Sequence, residues 1–275
     1  MPARTSGGGA RSQRRPLVSA NWKMHHDHMA ALHTVRDLGL RLKPEDLVSL
    51  EVSVHPPFTD LRTVQLLIEG DAIPITLGAQ HCHSEDHGAF TGEVAAPMLA
   101  RLGVHYVIVG HSERRHLFAM SDEQVAATLR AVYRNSMVAI LCVGETAEER
   151  DAGVTERRLA IQMDAALGVL SPEEMATLVV AYEPIWAIGT GRAATPIDAA
   201  DAAAFLRTLV AGAGGQDASE AVRIQYGGSV NGENAADFLS EPDIDGLLVG
   251  GASLQAASFA EVIRGVAGCY RSAAT

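Results

Sequence analysis

Eight short runs of apolar, largely β-branched residues, separated by amphipathic segments, constrain this chain more than any other feature. The runs are Leu17–Asn21, Val48–His55, Ile73–Ala79, Val104–Gly110, Val138–Val143, Thr177–Tyr182, Val222–Tyr226 and Gly246–Val249. Each is nearly continuous in apolar character, where a strand with one wet face would alternate. That pattern suits strands buried on both faces, as in a parallel sheet covered by helices. The segments between them carry apolar residues at helical spacing over Ala30–Leu42, Asp122–Tyr133, Glu156–Leu167, Asp198–Val210 and Phe259–Val266. Helix starts are marked by Ser121 with Gln124 three residues on, by Ser171-Pro172 and by Thr195-Pro196. Strand followed by helix, with no domain-sized break, predicts a single closed (β/α)8 barrel of eight parallel strands ringed by helices. A doubly wound open sheet would need a reversal point, and no GxGxxG follows the first strand.

The barrel is assigned to residues 16–275. Residues 1–15 differ: they hold Arg4, Arg11, Arg14 and Arg15, no acid, and Gly7-Gly8-Gly9. This composition predicts a disordered basic, Gly-rich tail; no apolar stretch follows the arginines, as a secretory signal would require. The formal net charge of -11 argues against a nucleic-acid partner, which needs clustered cations. No apolar run reaches the ~18 residues of a membrane helix. The three cysteines, Cys82, Cys142 and Cys269, are odd in number and far apart, which fits a reducing, cytoplasmic setting.

In such a barrel the strand C-termini and the loops after them form the active face. Asn21 and Lys23 follow strand 1, His111 and Glu113 follow strand 4, and Glu183 follows strand 6. A carboxylate, an imidazole and an ammonium on one rim can move a proton beside a carbonyl and stabilise the enediolate. Three glycine-rich turns share the rim, at Gly189, at Gly227-Gly228-Ser229 and at Gly250-Gly251, and could present backbone N–H groups to a phosphate. Singly, a rim acid is an ordinary solvated charge and a glycine pair an ordinary turn. His81, Cys82, His83 and His87 could suggest zinc, but no fourth ligand stands at a recognised spacing, so neither a metal nor a cofactor is expected. Cys142, inside strand 5, reads as a small buried hydrophobe.

The segments Asn21-Trp-Lys-Met24, Gly110-His-Ser-Glu-Arg-Arg115, Ala181-Tyr-Glu-Pro-Ile-Trp-Ala-Ile-Gly-Thr-Gly191, Tyr226-Gly-Gly-Ser-Val-Asn231 and Leu248-Val-Gly-Gly-Ala-Ser-Leu254 resemble, in order, those of the triosephosphate isomerase family. So do Gly88-Ala-Phe-Thr-Gly-Glu93 and Cys142-Val-Gly-Glu145; the likeness spans residues 17–270. The resemblance implies interconversion of dihydroxyacetone phosphate and D-glyceraldehyde 3-phosphate, a step of glycolysis and gluconeogenesis, without cofactor. It implies Glu183 as base, His111 as electrophile and Asn21 and Lys23 as substrate-binding and catalytic partners. Gly189, Ser229, Gly250 and Gly251 are implied as phosphate ligands, with Glu113 in support. Residues 184–194 resemble a closing lid, though Arg192-Ala-Ala194 stands where many relatives have Lys-Thr-Ala. The loop with Thr91 resembles one that enters a neighbouring subunit, which implies a homodimer; Gly78-Ala-Gln-His-Cys-His83 departs from the pattern just before it. An isomerase of a four-carbon ketose phosphate, a non-catalytic barrel and a phosphate-binding lyase or synthase are the competing readings.

Overall fold

The computed structural model describes residues 14–187 and 194–271. Eight strands, β1 (Leu17–Asn21), β2 (Glu51–His55), β3 (Thr76–Ala79), β4 (Tyr106–Val109), β5 (Val138–Val143), β6 (Val179–Tyr182), β7 (Arg223–Tyr226) and β8 (Gly246–Val249), pair in sequence order into a closed barrel. Every pairing is parallel, and β1 closes on β8 with Leu17 opposite Gly246. Around it run α1 (His28–Arg41), α2 (Leu61–Gly70), α3 (Ala96–Arg101), α4 (Ser112–Leu117), α5 (Asp122–Arg134), α6 (Thr155–Leu167), α7 (Pro196–Ala221), α8 (Ala235–Leu239) and α9 (Ala256–Arg271). Among the described residues no helix is long and apolar enough to cross a membrane.

The continuous apolar runs now have their reason. Alternate residues of each strand face opposite ways, and both sides are dry. Val18, Ala20, Val52, Val107, Val109 and Leu141 belong to the large core between barrel and helices, whereas Leu17, Ile108, Ile140, Cys142, Val179, Ala181 and Leu248 form a smaller core inside the barrel. Burial in that inner core pushes the Cys142 thiol up, as befits a packing residue.

Five strands start later than their apolar runs predict, β7 by one residue because Val222 caps the helix before it. Thr177 ends a helix begun at Pro172 by a capping box between Ser171 and Glu174, so β6 waits until Val179. Pro74 lacks the N–H a ladder needs, and β3 starts at Thr76. Val48 is exposed and precedes β2, and β4 begins at Tyr106. The helix predicted over Asp198–Val210 is the first part of α7, which breaks at Gly215, where φ is 85°. Arg14 and Arg15, placed by composition in the tail, are bonded to the barrel: Arg14 Nε donates to Asp245 Oδ1 at 2.7 Å, and Arg15 reaches the carbonyl of Leu50 at 2.8 Å.

Candidate active site

At the C-terminal ends of the strands a cavity of about 290 Å³ is lined by Asn21, Lys23, His111, Glu183, Ser229 and Gly250, with Gly227, Gly228, Val230, Leu248, Gly251 and Ala252 completing it. Residues from five strand ends thus meet in one cleft.

Lys23 is gripped at three points. Its φ of 53° is unusual for a residue with a side chain. Asn21 Oδ1 accepts its N–H at 3.0 Å, and Gln80 Nε2 donates to its carbonyl at 2.8 Å and to that of His55 at 2.9 Å. Its Nζ lies 2.8 Å from Glu113 Oε1. Because the Asn21 oxygen is committed to this turn, its amide N–H₂ is the end left to meet a ligand.

His111 caps the short helix α4, its Nδ1 accepting the N–H of Glu113 at 3.2 Å. An acceptor at Nδ1 cannot carry a proton, so the imidazole is the Nε2–H tautomer. Nε2 lies 2.9 Å from Glu183 Oε1, and Glu183 Oε2 accepts the N–H of Ser112 at 2.8 Å. Burial disfavours charge on either group. For Glu183 the neighbouring imidazole, the Ser112 N–H and Lys23 outweigh burial and hold the carboxyl below its ordinary range. For His111 burial lowers the pKa and the Glu183 carboxylate raises it by more. Glu113 adds to that rise, while the Lys23 charge opposes it together with burial. The pair is thus an ionised carboxylate bonded to a buried imidazole.

A Cβ at Gly227 would stand 3.1 Å from Glu183 Cγ, so a side chain there would press on that carboxylate. Gly250 and Gly251 open a 3₁₀ turn running to Leu254, on the same cleft wall as Ser229. Backbone N–H groups at such a turn face a ligand without an intervening side chain.

A family model described as triosephosphate isomerase matches residues 16–266. Among curated relatives, the triosephosphate isomerase of Cutibacterium acnes is 48% identical over 91% of this chain and 97% of its own length. That of Corynebacterium efficiens is 47% identical over 90% and 95%, and that of Streptomyces coelicolor 45% over 91% and 97%.

The chain belongs to the triosephosphate isomerase family.

Of the residues implied for a triosephosphate isomerase site, Asn21, Lys23, His111, Glu183, Ser229, Gly250 and Gly251 stand together in the cleft, with Glu113 bonded to Lys23. Gly189, and residues 188–193 of the implied lid, lie outside the described residues. Thr91 is exposed and does not line this cleft. The sequence reading missed Ser112, whose N–H holds the carboxylate of Glu183, and Gln80, which fixes the Lys23 backbone. Ser112 lies inside a quoted motif, but its part is played by a backbone N–H that side-chain chemistry does not advertise. Of the residues weighed as metal ligands, His83 accepts the N–H of Glu85 on Nδ1 at 3.0 Å and packs its ring on Phe90. Cys82 is buried, with its thiol pushed up to about 12.

Proposed function

We propose that this chain interconverts dihydroxyacetone phosphate and D-glyceraldehyde 3-phosphate through an enediolate, with Glu183 as base. The observation that carries the reading is a buried carboxylate 2.9 Å from a buried imidazole Nε2, in a cleft shared with one ammonium and a glycine-rich wall. Glu183 takes the proton from the carbon beside the carbonyl and returns it to the neighbouring carbon. His111 Nε2–H and Lys23 donate to the oxygens on which charge develops, and the imidazole gives its proton to the former carbonyl oxygen and takes one from the neighbouring hydroxyl, so that carbonyl and hydroxyl exchange places. The phosphate sits against Ser229, Gly250 and Gly251. Since His111 and Glu183 hold each other in the ligand-free arrangement, substrate binding has to part them: the carbonyl takes the imidazole N–H and the carboxylate turns to the C–H.

An assay with each triose phosphate, coupled to a dehydrogenase for the other, tests this. Rapid turnover in both directions is expected, and background rates with both would sink the reading. A kcat/KM larger for a four-carbon ketose phosphate than for the trioses would move the assignment to that substrate.

The same reading includes a cytoplasmic homodimer. Its support is the set of exposed apolar side chains Met24, Phe58 and Phe118 beside Asn21 and Lys23, a patch that a second copy carrying the Thr91 loop would cover. Sedimentation equilibrium should give twice the chain mass; a monomer at micromolar concentration would refute it.

A further inference from the structure

Behind the base lies a polar cluster that the proposed reaction does not use. Arg150, in the short helix Ala147–Asp151, lays its guanidinium over the Trp186 ring, with Cζ 4.1 Å from the ring centroid. One nitrogen donates to Asp198 Oδ1 at 2.6 Å, and another lies 3.7 Å from Glu145 Oε1. Glu145 is fully buried, and its Oε1 accepts the Tyr182 hydroxyl at 3.0 Å and the Trp186 Nε1–H at 2.9 Å. Its other oxygen has no hydrogen-bond partner among the described residues. Asp198 in turn accepts the Thr195 N–H at 2.9 Å, closing the capping box that starts α7.

These contacts join three pieces of chain. Glu145 follows β5. Tyr182 and Trp186 bracket Glu183 on the exit of β6. Thr195 and Asp198 open α7, on the far side of the connection from β6. A guanidinium is suited to this junction because it is planar enough to stack on an indole while donating in its own plane to carboxylates on either side. It also sets a positive charge beside the buried Glu145, which carries two neutral donors on one oxygen and no hydrogen bond from the guanidinium itself.

We propose that Arg150 is a positioning residue for the catalytic base: it fixes Trp186 against Glu145 and Asp198, and through Trp186 the chain exit that aims Glu183. The inference rests on the reading of Glu183 as base. It makes a specific kinetic prediction, because Arg150 is not among the described residues that line the cleft beside Ser229, Gly250 and Gly251. A base slightly misaimed loses rate, while the anchor that holds the substrate is unchanged.

The test is Arg150→Met, Arg150→Lys and Asp198→Asn, measured at saturating and limiting triose phosphate, with Glu183→Gln in parallel. In Arg150→Met kcat is expected to fall about 10- to 100-fold while KM moves less than about 3-fold. Arg150→Lys, which keeps the charge but loses the planar stack, should recover part of that loss. Asp198→Asn should lower kcat in the same sense by a smaller factor, and it serves as the test if Arg150→Met does not fold. With 5-fluorotryptophan incorporated, the ¹⁹F resonance of Trp186, assigned by Trp186→Phe, should shift in Arg150→Met while that of Trp22 stays. A folded Arg150→Met with wild-type kcat overturns the proposal, as does a rise in KM alone or a loss of activity that only tracks the folded fraction. If Glu183→Gln retains turnover, the base reading itself fails; if it is inactive while Arg150→Met is fully active, only the role of Arg150 fails.

Discussion

The two ends of the barrel solve the same electrostatic problem in opposite ways. At the N-terminal end Glu51, Thr76, Tyr106 and Arg223 open β2, β3, β4 and β7 and meet inside. Glu51 Oε2 accepts from Arg223 Nη1 at 3.0 Å and from the Tyr106 hydroxyl at 2.9 Å, and its Oε1 accepts from the Thr76 hydroxyl at 3.2 Å. The Tyr106 hydroxyl oxygen in turn accepts from Arg223 Nη2 at 2.7 Å. Both carboxylate oxygens are matched, and the cluster plugs the barrel. At the C-terminal end Glu183, His111, Lys23 and Asn21 are also bonded, but around a cavity, and every one keeps a donor or acceptor that can be turned to a ligand. Saturation closes one end; spare capacity around an empty space makes the other reactive.

The sharpest way to break this contrast is to change one group at each end and ask what is lost. Glu183→Gln should lower kcat by about 10²–10⁴-fold, the range for removing a general base. The urea midpoint of that variant should not fall, since a reactive arrangement contributes to function more than to folding. Unchanged turnover would remove Glu183 from the chemistry.

The next effect reads the barrel interior between the two ends. His55 is buried, with Nδ1 3.2 Å from the Ala79 carbonyl and Nε2 3.0 Å from the Ser53 hydroxyl. Burial lowers its pKa to about 4. The fold therefore favours neutral His55, while the unfolded chain takes up a proton below about 6.5. Stability should fall as pH drops from about 6.5 toward 4, by about 3 kcal/mol from this group at most. Chemical unfolding at a series of pH values should show a shallower decline in His55→Gln, and identical slopes for both proteins would exclude this histidine.

Arg223→Met addresses the plug. It should cost about 2 kcal/mol, less than the 3–5 kcal/mol of a fully buried pair because Glu51 and Arg223 keep some solvent contact. Its kcat/KM should stay within about 2-fold of wild type, since residues outside the reacting geometry contribute little differential transition-state binding. A large loss of activity with intact stability would show the two ends to be coupled. The smallest effect belongs to neither end: Ser171→Ala removes a helix cap on the outer ring and should cost about 1 kcal/mol without touching turnover.

Much of this was legible in the chain. The strand runs gave β1, β5 and β8 to the residue, and errors at the other strands lay at their ends, where at β3 a proline and at β6 a capped helix outweigh the apolar pattern. The short helices α3 and α8 left no helical repeat long enough to read. The site was legible because its side chains sit at strand ends, and strand ends can be counted.

What the sequence by itself determined is the alternation of strand and helix, the rim positions of Asn21, Lys23, His111 and Glu183, and the glycines beside them. Only the tertiary structure decided how those groups are held. The Ser112 N–H reaches a carboxylate 71 positions away, Arg223 reaches a glutamate 172 positions away, and Arg150 joins the two ends of the connection from β6 to α7. Apolar periodicity is a local property of the chain, set by which face of an element is dry. The partner of a buried charge is set by barrel closure, which brings together residues that no local pattern connects.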